Sequence, residues 1–449
     1  MKTTLNASAL RSLAAPVKKA HARRGKPAAA VTREPVHTVY GGAHLFKADT
    51  ARKLGNLGLR ALEDAAPDSS ALSDALNLPE DRGIHRLVYS RVVEKLRHEP
   101  IEDLRIDFED GYGHRSDAEE DGHAVAAAQE LAAGMESGSL PPFIGIRIKA
   151  LTPELFTRST RTLDLFLTTL VKASGGRVPQ DFVVTLPKVT VAEEVQTLAR
   201  LLGALEKSLE LKQKSLELEF MVETPEALLA ADGRVPLAGF VRAASGRCVA
   251  AHFGPYDYTA ALDVTAATQA LDHPACDAAR LIMQRSLAPL NVSVSDGPTT
   301  TMPIGPHRPE KGGAELSREE LAVNREVVFR AWRQSYRNIR HALLLGIYRG
   351  WDLHPAQLPV RYAATYTFFL ESLEPMSKRL AAFVDKAAQA TRVGEIFDDA
   401  ATGQGLLNFF LRGIACGALT EEDARATGMT LEELRTRSFL KILQARRKA

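Results

Sequence analysis

Two carboxylates carry the clearest chemical signal in this 449-residue chain. Glu223 lies in MVETPEALL and Asp257 in HFGPYDYTAAL, and each follows an apolar, strand-like run where a loop begins. Hard oxygen ligands of this kind suit magnesium, with manganese as the alternative ion, and a metal held by two carboxylates keeps positions open for water or substrate. Such an ion polarises a carbonyl and balances the charge that develops when a carbon–carbon bond breaks. Three further acids, Asp107, Glu109 and Asp110, crowd the stretch DFEDGYGHR, and period-two alternation sets Asp107 and Glu109 on one face. Clustered carboxylates repel unless a cation balances them, so a metal–water shell or an arginine partner, Arg105 or Arg115, is expected. Arg147 in FIGIRIKA points away from its neighbours Ile146 and Ile148. It either clamps a substrate carboxylate through two parallel hydrogen bonds or pairs with the acids of the preceding strand. Lys188 in LPKV has three readings: a second substrate contact, a Schiff-base lysine or a structural ion-pair partner. Gly254 and Pro255, opening the loop before Asp257, are candidate substrate contacts.

Positioning these groups at one place requires elements that end together. From Pro35 onward short apolar runs alternate with helix-like stretches, the pattern of a parallel sheet with crossover helices. The expected strands are 36–42, 103–110, 143–150, 181–189, 216–223, 247–254, 291–297 and 350–355. Between them lie amphipathic windows such as VAEEVQTLARLLGALEKSL, whose apolar residues at 192, 195, 198, 201, 202 and 205 share one face. Eight such units predict an α/β TIM (β/α)8 barrel spanning 35–360, with the candidate residues at the C-terminal strand ends, where such barrels build their sites. Insertions are expected at about 65–100 and 303–345, the second carrying a long helix with Arg325, Arg333, Arg337 and Arg340, which form either a phosphate-facing stripe or a solvated face. Residues 361–449 read as a helical C-terminal extension without strands. Residues 1–34 read as a basic arm, mobile or partly helical, with no acidic residue before Glu34; the alternatives are an organelle transit peptide or an arm that contacts phosphate.

Composition narrows the class. Lys and Arg total 57 against 55 Asp and Glu, a net charge of +2, so nothing global points to nucleic acid or an anionic membrane. Cys248, Cys276 and Cys416 are widely separated, without metal-ligand or disulfide spacing, and suit a reducing cytoplasm. No apolar run reaches the length of a membrane span. His44 and His114 are possible bases, and His354 a possible site residue, although surface or structural roles suit all three.

The ordered set IDFEDGYG, IGIRIKA, VVTLPKV, MVETPEALL, AHFGPYDYTAAL, CDAARLIMQRSLAPLNVSVSDGP and GWDLHPAQL resembles the citrate lyase beta-subunit/malyl-CoA lyase family. That family belongs to the HpcH/HpaI aldolase group of the pyruvate/phosphoenolpyruvate superfamily. The resemblance implies a cytoplasmic, homo-oligomeric, magnesium-dependent lyase or aldolase acting on a 2-oxo acid or 3-hydroxyacyl-CoA substrate. It assigns the metal to Glu223 and Asp257, the substrate carboxylate to Arg147, and acid/base chemistry to Asp107, Glu109 and Asp110, together with Asp398 or Asp399 from GEIFDDAATGQ. Departures are visible. YGGAHLFKAD replaces the Pro-Gly turn usual in relatives that bind CoA, which leaves Lys47 as the basic residue near a phosphate. Two alternatives stay open: a CoA-independent pyruvate- or phosphoenolpyruvate-using aldolase or phosphotransfer enzyme, and a non-catalytic barrel whose basic arm binds an anion.

Overall fold

A computed structural model describes residues 7–23, 33–78, 80–309, 315–385, 391–393, 396–398, 400–425, 427–436, 442 and 445. Eight parallel strands form a closed barrel in sequence order: His37–Gly42 (β1), Asp103–Asp107 (β2), Phe143–Arg147 (β3), Val183–Leu186 (β4), Glu217–Val222 (β5), Cys248–Phe253 (β6), Ser293–Pro298 (β7) and Arg349–Asp352 (β8). Hydrogen bonding between β8 and β1, with Thr38 opposite Trp351, completes the ring. All eight expected strands are present and the TIM barrel is established.

The helices are α1 (Ala7–Arg23), α2 (Thr50–Ala65), α3 (Ser69–Leu76), α4 (Arg82–His98), α5 (Asp117–Ser137), α6 (Phe156–Ala173), α7 (Ala192–Ser208), α8 (Pro225–Leu228), α9 (Leu237–Ala243), α10 (Pro255–Ala261), α11 (Pro274–Leu287), α12 (Arg318–Leu344) and α13 (Leu358–Asp385). After them come a two-stranded hairpin, Thr391–Val393 (β9) and Ile396–Asp398 (β10), and α14 (Ala400–Ala415), α15 (Glu421–Arg425) and α16 (Leu431–Arg435). Local chemistry sets several of these boundaries. Ser116 and Glu119 form a reciprocal capping box at the start of α5, and Gly138 in the left-handed region ends it; Ser317 and Glu320 form the same box at the start of α12.

Alternation along the strands sorts the side chains. Leu104, Ile106, Ile144, Ile146, Leu218, Phe220, Ala251 and Phe253 point outward and are buried against the helices, where α7 contributes Val195, Leu198 and Leu202. The inward positions are polar instead of aliphatic: Thr38, Asp103, Arg105, Thr185, Glu219, His252, Ser295 and Arg349 are all buried. Arg105 pairs with Asp103 and with Glu219 (2.8 Å), and Arg349 reaches Asp103 and Thr38 (3.0 Å). Every such charge must find a partner, because an unpaired buried charge is costly.

Three features differ from the sequence reading. The long helix of the 303–345 insertion is the only α-helix between β7 and β8 among the described residues, so α12 belongs to the barrel's own repeat and the added chain is what precedes Arg318. Helix α13 runs across residue 360 and packs on α4 and α12, which makes it the helix that follows β8. The β9–β10 hairpin lies where only helices were expected. Beyond these, α3 and α4 are the addition near 65–100. Among the described residues no helix is long and apolar enough to cross a membrane.

Candidate active site at the barrel mouth

Arg147 ends β3 and is 1% exposed. Its Nε and Nη2 donate to the two oxygens of Asp107 at 2.7 and 2.6 Å, a side-on pairing enforced by the register that sets Asp107 beside Arg147 on neighbouring strands. Asp107 also accepts from the backbone N–H of Glu109 (3.0 Å) and Gly111 (2.7 Å). The pairing edge expected for substrate is thus already used. Nη1 remains: it is buried, makes no hydrogen bond, and lies 3.2 Å from Glu109 Oε2. Tyr40 supports the guanidinium by its ring face at 4.6 Å and Trp351 at 5.6 Å. The Tyr40 hydroxyl is tied to His252 Nδ1 (2.8 Å), whose Nε2 lies 3.0 Å from Glu219. Arg105 stays with Asp103 and Glu219 lower in the barrel, and Arg115 lies over the Tyr112 ring, so Arg147 and Lys188 are the cations that balance the acid cluster.

Lys188 follows β4 with a left-handed φ of 52°. Its N–H donates to Glu223 Oε1 at 2.6 Å. Its ammonium group lies 3.2 Å from Asp257 Oδ2, 3.2 Å from Glu109 Oε1 and 3.7 Å from Asp110 Oδ2. One lysine therefore links the two proposed metal ligands and the second-strand acids. Glu223 comes directly after β5 and is 2% exposed, whereas Asp257 sits in the first turn of α10 with its side chain 53% exposed. Gly254 makes room for the first: a Cβ there would stand 2.5 Å from Glu223 Cβ and 2.6 Å from its Oε2. Pro255 starts α10 and is buried against Gly297, so it packs the loop instead of facing the mouth.

The charge balance is unusual. Five carboxylates, Asp107, Glu109, Asp110, Glu223 and Asp257, meet two cations, Arg147 and Lys188. Burial pushes the Glu223 carboxyl up to about 8, with Lys188 opposing and Asp257 adding to the rise. Burial and the neighbouring Asp110 push Glu109 up to about 7, against the pull of Arg147 and Lys188. For Asp110 burial is outweighed by Glu109, Arg147 and Lys188, which hold it below the usual carboxylate range. A surplus of carboxylate oxygens over cations, with Glu223 and Glu109 held towards neutrality by burial, fits a divalent cation, which would balance them. Among the described residues no three His, Cys, Asp or Glu side chains form a preassembled cage, and two carboxylates plus water is the donor set magnesium accepts.

Other sequence candidates fall elsewhere. His44 packs on Tyr112 and His123, His114 is exposed, and His354 caps the short turn after β8 through Ala356 N–H. Asp398 belongs to β10, while Asp399 lies outside the described residues. On α12, Arg325 and Arg337 are exposed, whereas Arg333 donates to Asp74 O and Arg340 pairs with Glu371, so the four do not form one stripe. Tyr40, Trp351 and His252 were not singled out from sequence. Inward parity at the ends of β1, β6 and β8 is the signal that finds them.

The chain shares its fold with a citrate lyase from Burkholderia xenovorans LB400, at 18% identity and a TM-score of 0.57, over 89% of this chain and 97% of that one. Weaker likenesses are to CitE from Mycobacterium tuberculosis in complex with magnesium, acetoacetate and coenzyme A (15%, TM-score 0.47, 85% and 97%) and to Haloferax volcanii malate synthase (14%, 0.46, 92% and 98%). The resemblance drawn from the motifs agrees with the citrate lyase at the level of the fold. No curated protein matches. A family model matches residues 17–442, and the chain belongs to that family, described as Domain of unknown function (DUF6986).

Proposed function

We propose that the protein is a magnesium-dependent carbon–carbon lyase or aldolase acting on a 2-oxo acid or a 3-hydroxyacyl thioester. The observation that carries this reading is the convergence of Glu223, Asp257 and Arg147 Nη1, which is ion-paired but makes no hydrogen bond, on one barrel mouth, linked by Lys188 and Glu109. Glu223 and Asp257 would hold the ion, which supplies Lewis-acid polarisation of the substrate carbonyl. Arg147 offers Nη1 to a substrate oxygen, while Asp107 fixes its plane and the Tyr40 and Trp351 rings keep water from beneath it. Glu109, 3.2 Å from Nη1 and pushed up to about 7 by burial, is placed to give or take a proton near neutral pH. Asp107 acts as a positioning residue for Arg147.

A groove of about 270 Å³ opens beside the β1 and β8 ends, lined by Tyr40, Gly42, Leu45, Lys53, Leu353 and Leu358 among others. Its apolar walls would suit the arm of an acyl thioester, which the acyl-CoA arm of the product analysis tests. Glu223→Gln and Asp257→Asn are each expected to abolish Mn2+ binding by calorimetry and metal-dependent turnover, with unchanged circular dichroism. Product analysis over pyruvate, glyoxylate, oxaloacetate and acyl-CoA panels identifies the reaction. Full metal-dependent activity in either variant rejects the assignment.

A further inference from the structure

Lys188 touches four of the five carboxylates of the site, all but Asp107, and its backbone and side chain do so in different ways. The left-handed φ of 52° is a conformation that a long L side chain rarely adopts. It turns the Lys188 N–H onto Glu223 Oε1 at 2.6 Å while the side chain returns across the mouth. There the ammonium group stands 3.2 Å from Asp257 on α10 and, in the loop after β2, 3.2 Å from Glu109 and 3.7 Å from Asp110. A position 3.2 Å from carboxylates on two separate elements is one where a cation lowers their mutual repulsion. In the structure a tethered ammonium stands at that position.

We propose that Lys188 is a built-in counter-ion which holds the metal-free site together and which a divalent cation displaces from Asp257 and Glu109; this rests on the assignment of Glu223 and Asp257 as metal ligands. An ion held by Asp257 competes with the Lys188 ammonium for the same carboxylate, so ion binding weakens the Lys188 pairing. The lysine then sets two properties at once. It keeps the acids from repelling each other when no ion is bound, and it weakens ion affinity, because every binding event must first break its contacts. Released from Asp257, the flexible side chain keeps its charge at the mouth, available to a substrate anion.

The test uses the full-length protein and reads binding instead of turnover. Lys188→Met is expected to bind Mn2+ about tenfold more tightly than wild type by calorimetry or by electron paramagnetic resonance of the free ion, and to unfold at a lower temperature in EDTA. In wild type, saturating Mn2+ is expected to raise labelling of Lys188 by an amine-reactive ester, read by peptide mass spectrometry, with exposed Lys378 unchanged. If Lys188→Met does not fold, Lys188→Asn, whose residue type tolerates a positive φ, and the wild-type labelling decide the matter. Wild-type Mn2+ binding that both variants leave equal or weaker, with unaltered labelling, overturns the role of Lys188 and leaves the metal reading standing. Absence of Mn2+ binding in wild type and variants overturns both.

Discussion

Replacing Asp107 by Asn isolates the interaction on which the geometry of Arg147 depends. The change keeps the shape of the side chain but removes its charge and turns one acceptor into a donor. In the native protein both oxygens are committed: one accepts from Arg147 Nε and Glu109 N–H, the other from Arg147 Nη2 and Gly111 N–H. Arg147 and Asp107 are both essentially excluded from solvent, so water cannot replace what is lost. Breaking a buried, hydrogen-bonded ion pair from one side costs about 3–5 kcal/mol, mainly because the remaining charge stays buried. Glu109, the nearest other acid to Nη1, is pushed towards neutrality by its own burial and gives limited relief. Urea unfolding followed by circular dichroism at pH 7 measures the loss. The double variant Asp107→Leu/Arg147→Met removes both charges and is expected to be more stable than Asp107→Asn, since apolar replacement of a whole buried pair is often neutral. A loss below about 1 kcal/mol in Asp107→Asn, or a double variant as unstable as the sum of its single changes, refutes the account of Arg147 as a residue fixed by Asp107.

Gly254→Ala places a methyl group 2.5–2.6 Å from Glu223 and must move its carboxylate; the expected result is destabilisation of about 1–3 kcal/mol with at least tenfold weaker Mn2+ binding, both measurable on one preparation. Glu217, at the opposite end of the barrel, has its carboxyl pushed up to about 7 by burial and by the nearby Asp181 and Glu219. A carboxyl whose folded value is raised costs stability as pH climbs from its ordinary range through that value, so Glu217→Gln is expected to raise the urea midpoint at pH 8 and not at pH 5. Equal effects at both pH values would show that the substitution acts through packing.

Much of the barrel was readable from the sequence because its outward faces carry a strict alternating signal. Leu104 and Ile106 flank Arg105, Ile144 and Ile146 flank Gly145, and Leu218 and Phe220 flank Glu219, so strand positions and inward residues follow from parity. The acids and Arg147 were found for the same reason. What parity does not supply is distance between elements. That Lys188 reaches Asp257 depends on a positive φ, and that Asp107 occupies the pairing edge of Arg147 depends on the β2–β3 register. Helix α12 was taken for part of an insertion because its exposed N-terminal half, with Leu321 and Val323 in solvent, hides the buried Trp332, Ile339 and Leu343 that seat it on the barrel.

The polar lumen ties the charges of the early strands to the last one. Asp103 on β2 is balanced by Arg105 and by Arg349, a residue contributed by the last strand some 246 positions later, and Arg349 also bonds Thr38 on the first. A chain still lacking β8 would bury Asp103 and Glu219 with only part of their compensation, whereas an aliphatic lumen would reward each strand as it arrived. During synthesis the early strands therefore gain little by packing inward, and the half-barrel that many repeating β/α folds can sustain is disfavoured here. A fragment ending before Arg349 forfeits the very contacts that make the interior affordable, so the first and last strands act as one unit although nearly the whole barrel separates them in the sequence.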